Sequence, residues 1–220
     1  MVKKTLTHPP RIDPLRLGDL VSADGDDLRP QGRYEGLRFE GIDLSGRDLG
    51  GIEFSGCAFD DVQAHATGFR AATFSEVAFS RFNAPVFSAP RARFRDVTVQ
   101  GSRIGSAELY ESYVNSARFT GSKLGFVNAR GAQLLDVQFD GCTIDELDLS
   151  GATLTRVSFV DTTVRSLSLA GAKLTHLDLR GADFAQIDGF ESLRGATLNG
   201  YQVGALAEAF ARHLGISVED

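Results

Sequence analysis

The sequence predicts an all-β solenoid, and three observations predict it. Stepping by five from Phe39 to Phe184 gives 30 positions, of which 26 are Phe, Leu, Ile or Val; the other four are Ala64, Ala84, Ala89 and Ala129. The place two residues after each of these centres is Gly in 11 of the 30 units, for example Gly41, Gly51, Gly121 and Gly141. Positions 20 apart carry like residues. Phe39, Phe59, Phe79, Val99, Phe119, Phe139, Phe159 and Leu179 form one ladder, and Phe54, Phe74, Phe94, Val114, Leu134, Leu154 and Leu174 form another. A helix repeats every 3.6 residues and a strand every 2, so neither keeps a strict five in register over this length.

Each unit has a third regular place. Two residues before the centre the side chain is small or β-branched, as at Ala107, Ala117, Ala152, Val77, Val137 and Val157. The unit therefore reads A-x-L/F-x-G. Two inward residues alternate across a short strand, and the glycine-rich place turns the corner, because glycine takes a positive φ without steric cost. Where the centre shrinks, its inward neighbour grows: Phe82 precedes Ala84, Phe87 precedes Ala89, Val62 precedes Ala64 and Val127 precedes Ala129. A lumen of fixed volume requires that exchange.

The units "GATLT", "GAKLT", "GADFA" and "GSKLG" carry a resemblance to the pentapeptide repeat family. The resemblance covers about two-thirds of the chain. It implies a right-handed, quadrilateral parallel β-helix with four pentapeptides per coil. The 20-residue ladders agree with four sides, because four units make one coil. At about 4.8 Å per coil, the 30 units form a rod roughly 36 Å long.

The organisation predicted is an N-terminal cap or arm over 1–36, a repeat β-helix over 37–199 and a C-terminal helix and tail over 200–220. The arm "THPPRIDPLRLGDL" holds three prolines and is expected to cover the first coil. The segment 81–94 contains Pro85 and Pro90, which cannot donate to a ladder, so a bulge or altered corner is expected there. At the other end Val203, Leu206, Ala207, Phe210 and Leu214 follow helical spacing, with Gly215 at the C-cap place and Ile216 behind it. One helix is expected to cover the last coil. It serves either as a monomer cap or as a homodimer contact, the latter as in the quinolone-resistance members of the family that this end resembles.

Composition narrows the function. The net charge of −6 disfavours direct nucleic-acid binding. No apolar run approaches the roughly 18 residues of a membrane span, and Lys3 and Lys4 are followed by no apolar core of a secretory signal, so a cytoplasmic location is expected. Cys57 and Cys142 occupy the inward small-residue phase more than four coils apart, roughly 20 Å along the axis. They read as packing residues and not as a disulfide. His65 and His176 are too far apart to share a metal. No cofactor, metal or catalytic motif is expected.

The face bearing the Phe39 ladder carries Glu40, Asp60, Asp61, Asp140, Asp161 and Asp178 against Arg38, Arg81, Arg118 and Arg180, and it is the candidate acidic partner face. The other faces read as nearly balanced, with a small basic patch at Arg91, Arg93 and Arg95. The reading is a non-enzymatic protein-binding module whose partner is unidentified. The alternative implied by the resemblance is a DNA gyrase- or topoisomerase-interacting protein that confers fluoroquinolone or toxin resistance by DNA mimicry, similar to the members without projecting loops. The inside/outside assignment predicts that Phe119→Ala costs about 3–5 kcal/mol through a core cavity while Arg118→Ala costs little. Equal shifts in melting temperature for the two variants would sink it.

Overall fold

The computed structural model describes residues 7–219. Lys3 and Lys4, which entered the reading against a secretory signal, lie outside the described residues. The chain winds into a parallel β-solenoid of about nine turns. Each turn has four faces, and the inward centres name them in chain order: the first face carries Phe39, the second Leu44, the third Leu49 and the fourth Phe54. Long strands such as Thr73–Ser80, Arg93–Gln100, Tyr113–Thr120 and Gln133–Asp140 run over a fourth face and on to the next first face. Strands such as Asn83–Ser88, Arg103–Glu108 and Lys123–Asn128 cover the second and third faces. All pairing is parallel and steps by 20 residues through most of the rod, as in Phe119 opposite Phe139 and Leu124 opposite Ile144.

The register arises from the lumen. Phe39, Phe59 and Phe79 stack with ring centroids 4.9 and 5.1 Å apart, and Phe119, Phe139 and Phe159 with 4.8 and 5.2 Å. Those separations match the strand spacing of about 4.8 Å, so ladder hydrogen bonds and ring stacking are satisfied by one geometry. The small inward positions also have a polar task. The hydroxyls of Ser102, Ser122 and Thr162 accept from the backbone N–H of Phe82, Ser102 and Cys142, each 20 residues earlier. The exchange of volume between neighbours holds: Phe82 with Ala84 and Phe87 with Ala89 are all buried.

Corners fall two residues after the centres. Among the described residues, 14 non-glycine residues have positive φ, and all sit in this phase, from Gln31 to His176. The corner between the second and third faces changes along the rod. Gly46 and Ala66 are left-handed, but from Val86 onward the strand runs straight through. The irregular 81–94 segment is therefore the start of an altered corner and not a bulge. Pro85 lies where the ladder skips a partner, between the pairs of Ala84 with Ile104 and Val86 with Ser106.

The ends differ from the sequence reading. Residues 7–20 do not cap the first coil; they run along the outside of the rod. The first coil begins with Val21–Ala23, paired with Leu37–Phe39, and is closed by Leu28 and by Arg47, which donates to the Gly25 and Leu28 carbonyls. At the far end there are two short helices and not one: α1 (Gly200–Ala205) and α2 (Ala207–His213). Gly204 in the last turn of α1 weakens the helix at the break. Gly215 has φ +72, its N–H donates to the Arg212 carbonyl, and the Ile216 N–H donates to the Ala211 carbonyl. This is the predicted glycine cap, although the Ile216 side chain stays 56% exposed.

The lumen is not uniformly filled. An apolar cavity of about 50 Å³ lies where the Phe79 ladder passes through Val99 to Phe119, and Phe119 itself is only partly buried. Phe119→Ala is therefore expected at the low end of its range, and Phe139→Ala, at 4% exposure and stacked on both sides, at the high end. Val99→Phe completes the stack and fills that space, and is expected to raise stability by about 1 kcal/mol in chemical denaturation; a loss of more than that would show the cavity walls to be already rigid.

Candidate protein-binding faces

Outward residues line up in columns 20 apart, so each face presents a flat, regular set of side chains. The candidate acidic face is the first face. Glu40, Asp61 and Asp161 are exposed there, and Asp60, Asp140 and Asp178 are half-buried. Asp178 receives two hydrogen bonds from the Arg180 guanidinium, at 2.9 and 2.6 Å. Arg81 Nη2 lies 2.6 Å from Asp60 Oδ1, off the hydrogen-bonding direction but within ion-pair range. Two of the six acids are thus neutralised by arginines of the same face.

That face is also covered. The ring of His8 meets that of His176 at 4.5 Å, the Arg11 N–H donates to Asp136 Oδ1 at 2.8 Å, and Leu15 and Leu17 border a groove with Ala78, Thr98 and Arg118. Beneath the arm, outward residues are buried: Ala58 is 7% exposed, Ser116 8%, Asp136 6% and Ser158 7%. Sequence reasoning missed this arrangement. Its signal was a run of three small outward residues, Ala58, Ala78 and Thr98, in a column that otherwise reads Arg38, Arg118, Gln138, Ser158 and Asp178.

The third face is free of the arm and carries the clearest charge pattern. Its outward column reads Asp48, Gly68, Ser88, Glu108, Asn128, Asp148, Ser168 and Asp188, with four acids and no cation. Asn128 donates to Glu108 at 2.8 Å, and Arg130 pairs with the buried Asp148 at 2.6 Å. The fourth face is the more basic. There Arg91 binds Glu111 at 2.6 Å and Arg33 binds Glu53 at 2.9 Å, which leaves less free charge than the sequence patch suggests.

At the C-terminal end the predicted helical residues separate into two groups. Leu206 is half-buried against the core, and Phe210 packs edge-on to Phe190 at 5.2 Å. Val203 and Leu214 are 48% and 71% exposed, and Ala207 is exposed. The residue that closes the last coil is polar. Gln202, 6% exposed, donates to the carbonyls of Leu179 and Ala182 and forms a reciprocal capping box with Asn199. The "NGYQ" stretch carried that signal. Tyr201, Val203, Leu214, Ile216 and Val218 are left exposed around the end.

The titratable groups behave as parts of a scaffold. Burial pushes both Cys57 and Cys142 thiols up, which keeps them protonated; both are free and buried. Burial pushes Asp136 up too, but two hydrogen bonds from Arg156, the Arg11 N–H and both arginine charges outweigh it, and the carboxyl is held below its usual value. Asp148 is likewise lowered: burial is outweighed by hydrogen bonds from Ser150 and by Arg130. Among the described residues, no group of three or more His, Cys, Asp and Glu is placed to hold a metal, and the His8–His176 pair stands outside any such group.

Residues 117–156 match the family model for pentapeptide repeats, in eight copies. The chain carries pentapeptide repeats. No curated protein matches the sequence. Among solved structures, this pentapeptide-repeat chain is similar to full-length QnrB1, a plasmid-mediated fluoroquinolone resistance protein, at 22% identity and a TM-score of 0.39, over 86% of this chain and 94% of that one. A trypsin-treated form of the same protein aligns at 23% identity and a TM-score of 0.35, over 91% and 97% of the two chains. Among the described residues, no helix is long and apolar enough to cross a membrane.

The lowered aspartates fix the sign of the acid response. A carboxyl held below its unfolded value of about 3.9 contributes stability above that pH, and the contribution is lost as pH falls through the folded value. The melting temperature is therefore expected to be flat from about pH 5 to 7 and to fall below about pH 4. Asp136→Asn should cost about 1–3 kcal/mol at pH 7 and flatten part of the acid slope; an unchanged slope would mean that Asp136 is not charged in the folded protein.

Proposed function

We propose that this protein is a non-enzymatic, cytoplasmic protein-binding rod, and that its third face is the partner surface. The observation that carries this reading is the outward column in which Asp48, Glu108 and Asp188 have no arginine or lysine partner, Asp148 being buried and paired with Arg130, set on the stacked lumen. A flat, periodic acidic column suits a partner with a basic surface, through steering and register more than through buried area.

A second reading, binding to DNA gyrase or a topoisomerase with resistance to fluoroquinolones or a toxin, draws support from the same column, because an enzyme that grips duplex DNA offers a basic surface. The exposed Tyr201, Val203, Leu214 and Ile216 at the C-terminal end support a homodimer joined there, with Phe210 buttressing the contact. Such a dimer would double the length of the acidic rod.

Supercoiling by purified gyrase, with and without a fluoroquinolone, decides between the two. Inhibition or relief of drug-induced cleavage at micromolar protein, lost in Glu108→Arg/Asp188→Arg and kept in Arg93→Glu, is the result expected of the gyrase reading. No effect at tens of micromolar removes it. The general reading then rests on recovery of one cross-linked partner whose capture depends on Glu108 and Asp188. Capture indifferent to both charge reversals would remove the third face as the surface.

A further inference from the structure

Residues 7–20 have neither helix nor strand, yet they follow the rod from its last coil to its first. Thr7 hydrogen-bonds Thr197, His8 packs on His176, Arg11 reaches Asp136, Leu15 and Leu17 lie beside Ala78 and Thr98, and Val21 pairs with Leu37. Nine coils at about 4.8 Å need roughly 40 Å, and 14 residues supply that only when nearly fully extended. Pro9, Pro10 and Pro14 preset such a conformation and reduce the entropy lost on docking.

The arm is held in a way that permits release. Pro10, Ile12, Leu15, Leu17 and Leu20 are half-buried and none is fully buried; the residues between them face water. Among the described residues, the Arg11 N–H to Asp136 is the one hydrogen bond made by the backbone of residues 8–20. A segment held by few buried apolar contacts, with its backbone left to solvent, belongs to the low-stability end of local opening. The surface beneath is the reverse: a hydrogen-bonded ladder whose outward column reads Ala58, Ala78, Thr98, Arg118, Gln138 and Ser158, beside one nearly buried carboxylate, Asp136, fixed by Arg156.

We propose that this trench on the first face is a docking site for an extended, proline-containing segment of a partner protein, with apolar residues at the arm's spacing and a backbone N–H for Asp136. Residues 7–20 are the chain's own occupant, a tethered cover that such a segment displaces. The arm itself shows the chemistry that the trench accepts: half-buried Pro10, Ile12, Leu15 and Leu17 and one backbone N–H to Asp136. The tether holds the arm at an effective concentration of about millimolar, so a free segment competes only when the arm is loosened or the segment binds more tightly. The inference rests on the protein-binding reading, but its test uses a peptide alone, so its failure leaves the third-face experiment unaffected.

The test uses the full chain and a fluorescent peptide with the sequence of residues 7–20. Leu15→Asp/Leu17→Asp loosens the arm without touching the lumen. Tryptic cleavage after Arg11 in this variant, and after Arg16 in the Arg11→Pro replacement, reports release, and far-UV circular dichroism with the melting temperature reports the fold. Should that variant lose its fold, Arg11→Pro, which removes the N–H donated to Asp136, takes its place. Peptide anisotropy is expected to show at least about tenfold tighter binding to the loosened chain than to the unaltered one. Adding Asp136→Asn should weaken that binding severalfold. Equal binding to loosened and unaltered chains, or none to a folded chain whose arm is cleaved faster, overturns the proposal. So does a cleavage rate that neither variant changes. An unaltered chain that is a dimer and becomes a monomer on loosening assigns the trench to the arm of a second copy, which also overturns it.

Discussion

Everything in this protein depends on a lumen of constant cross-section. Each coil must bring the same volume inward at the same height, because its side chains are stacked on those of the coils above and below. The near-parallel phenyl stacks at about the strand spacing make ring packing and backbone hydrogen bonding a single constraint. The compensations at Phe82 with Ala84 and Phe87 with Ala89 are what that constraint looks like when a centre is lost. The corner strain follows from it as well. Fourteen of the described non-glycine residues accept a left-handed backbone at corners where the ladder on either side holds the turn.

The surface of a rod made this way is assigned by column. Charges in one column repeat along the axis, whereas charges in adjacent columns neutralise each other, as Arg81 does Asp60 and Arg180 does Asp178. A tally of acids over a whole face therefore says less than the composition of one column. The first face has more acids, but Arg81 and Arg180 pair two of them and the arm covers part of it, while Glu40, Asp61 and Asp161 stay exposed. The third face has a column with four acids, one amide and no cation; Arg130 of the adjacent column takes up the buried Asp148, and Asp48, Glu108 and Asp188 are left for a basic partner.

The two ends and the arm meet a different demand. A solenoid exposes unpaired backbone at each end, and here polar side chains close it: Arg47 over the first coil, Asn199 and Gln202 over the last. The arm then joins the two ends along the outside. It shields part of the first face, with Ala78 and Thr98 beside Leu15 and Leu17, through side chains that are half-buried and one backbone hydrogen bond.

The sequence by itself determined the repeat, the four sides, the inward residues and the corner phase. Each of these is a local property copied every five or 20 residues, and the repetition removes the ambiguity of any single unit. It also marked the glycine cap at Gly215, and over 81–94 it left a bulge or an altered corner open. What only the tertiary structure decided are the contacts between segments far apart in the chain: Arg11 with Asp136, His8 with His176, and Gln202 with the carbonyls of the last coil. None of these repeats, and an extended arm has no period that marks where it lies. The candidate acidic face was legible as a set of residues, but its cover was not, because the burial of Ser116, Asp136 and Ser158 is imposed by a segment more than 90 residues away.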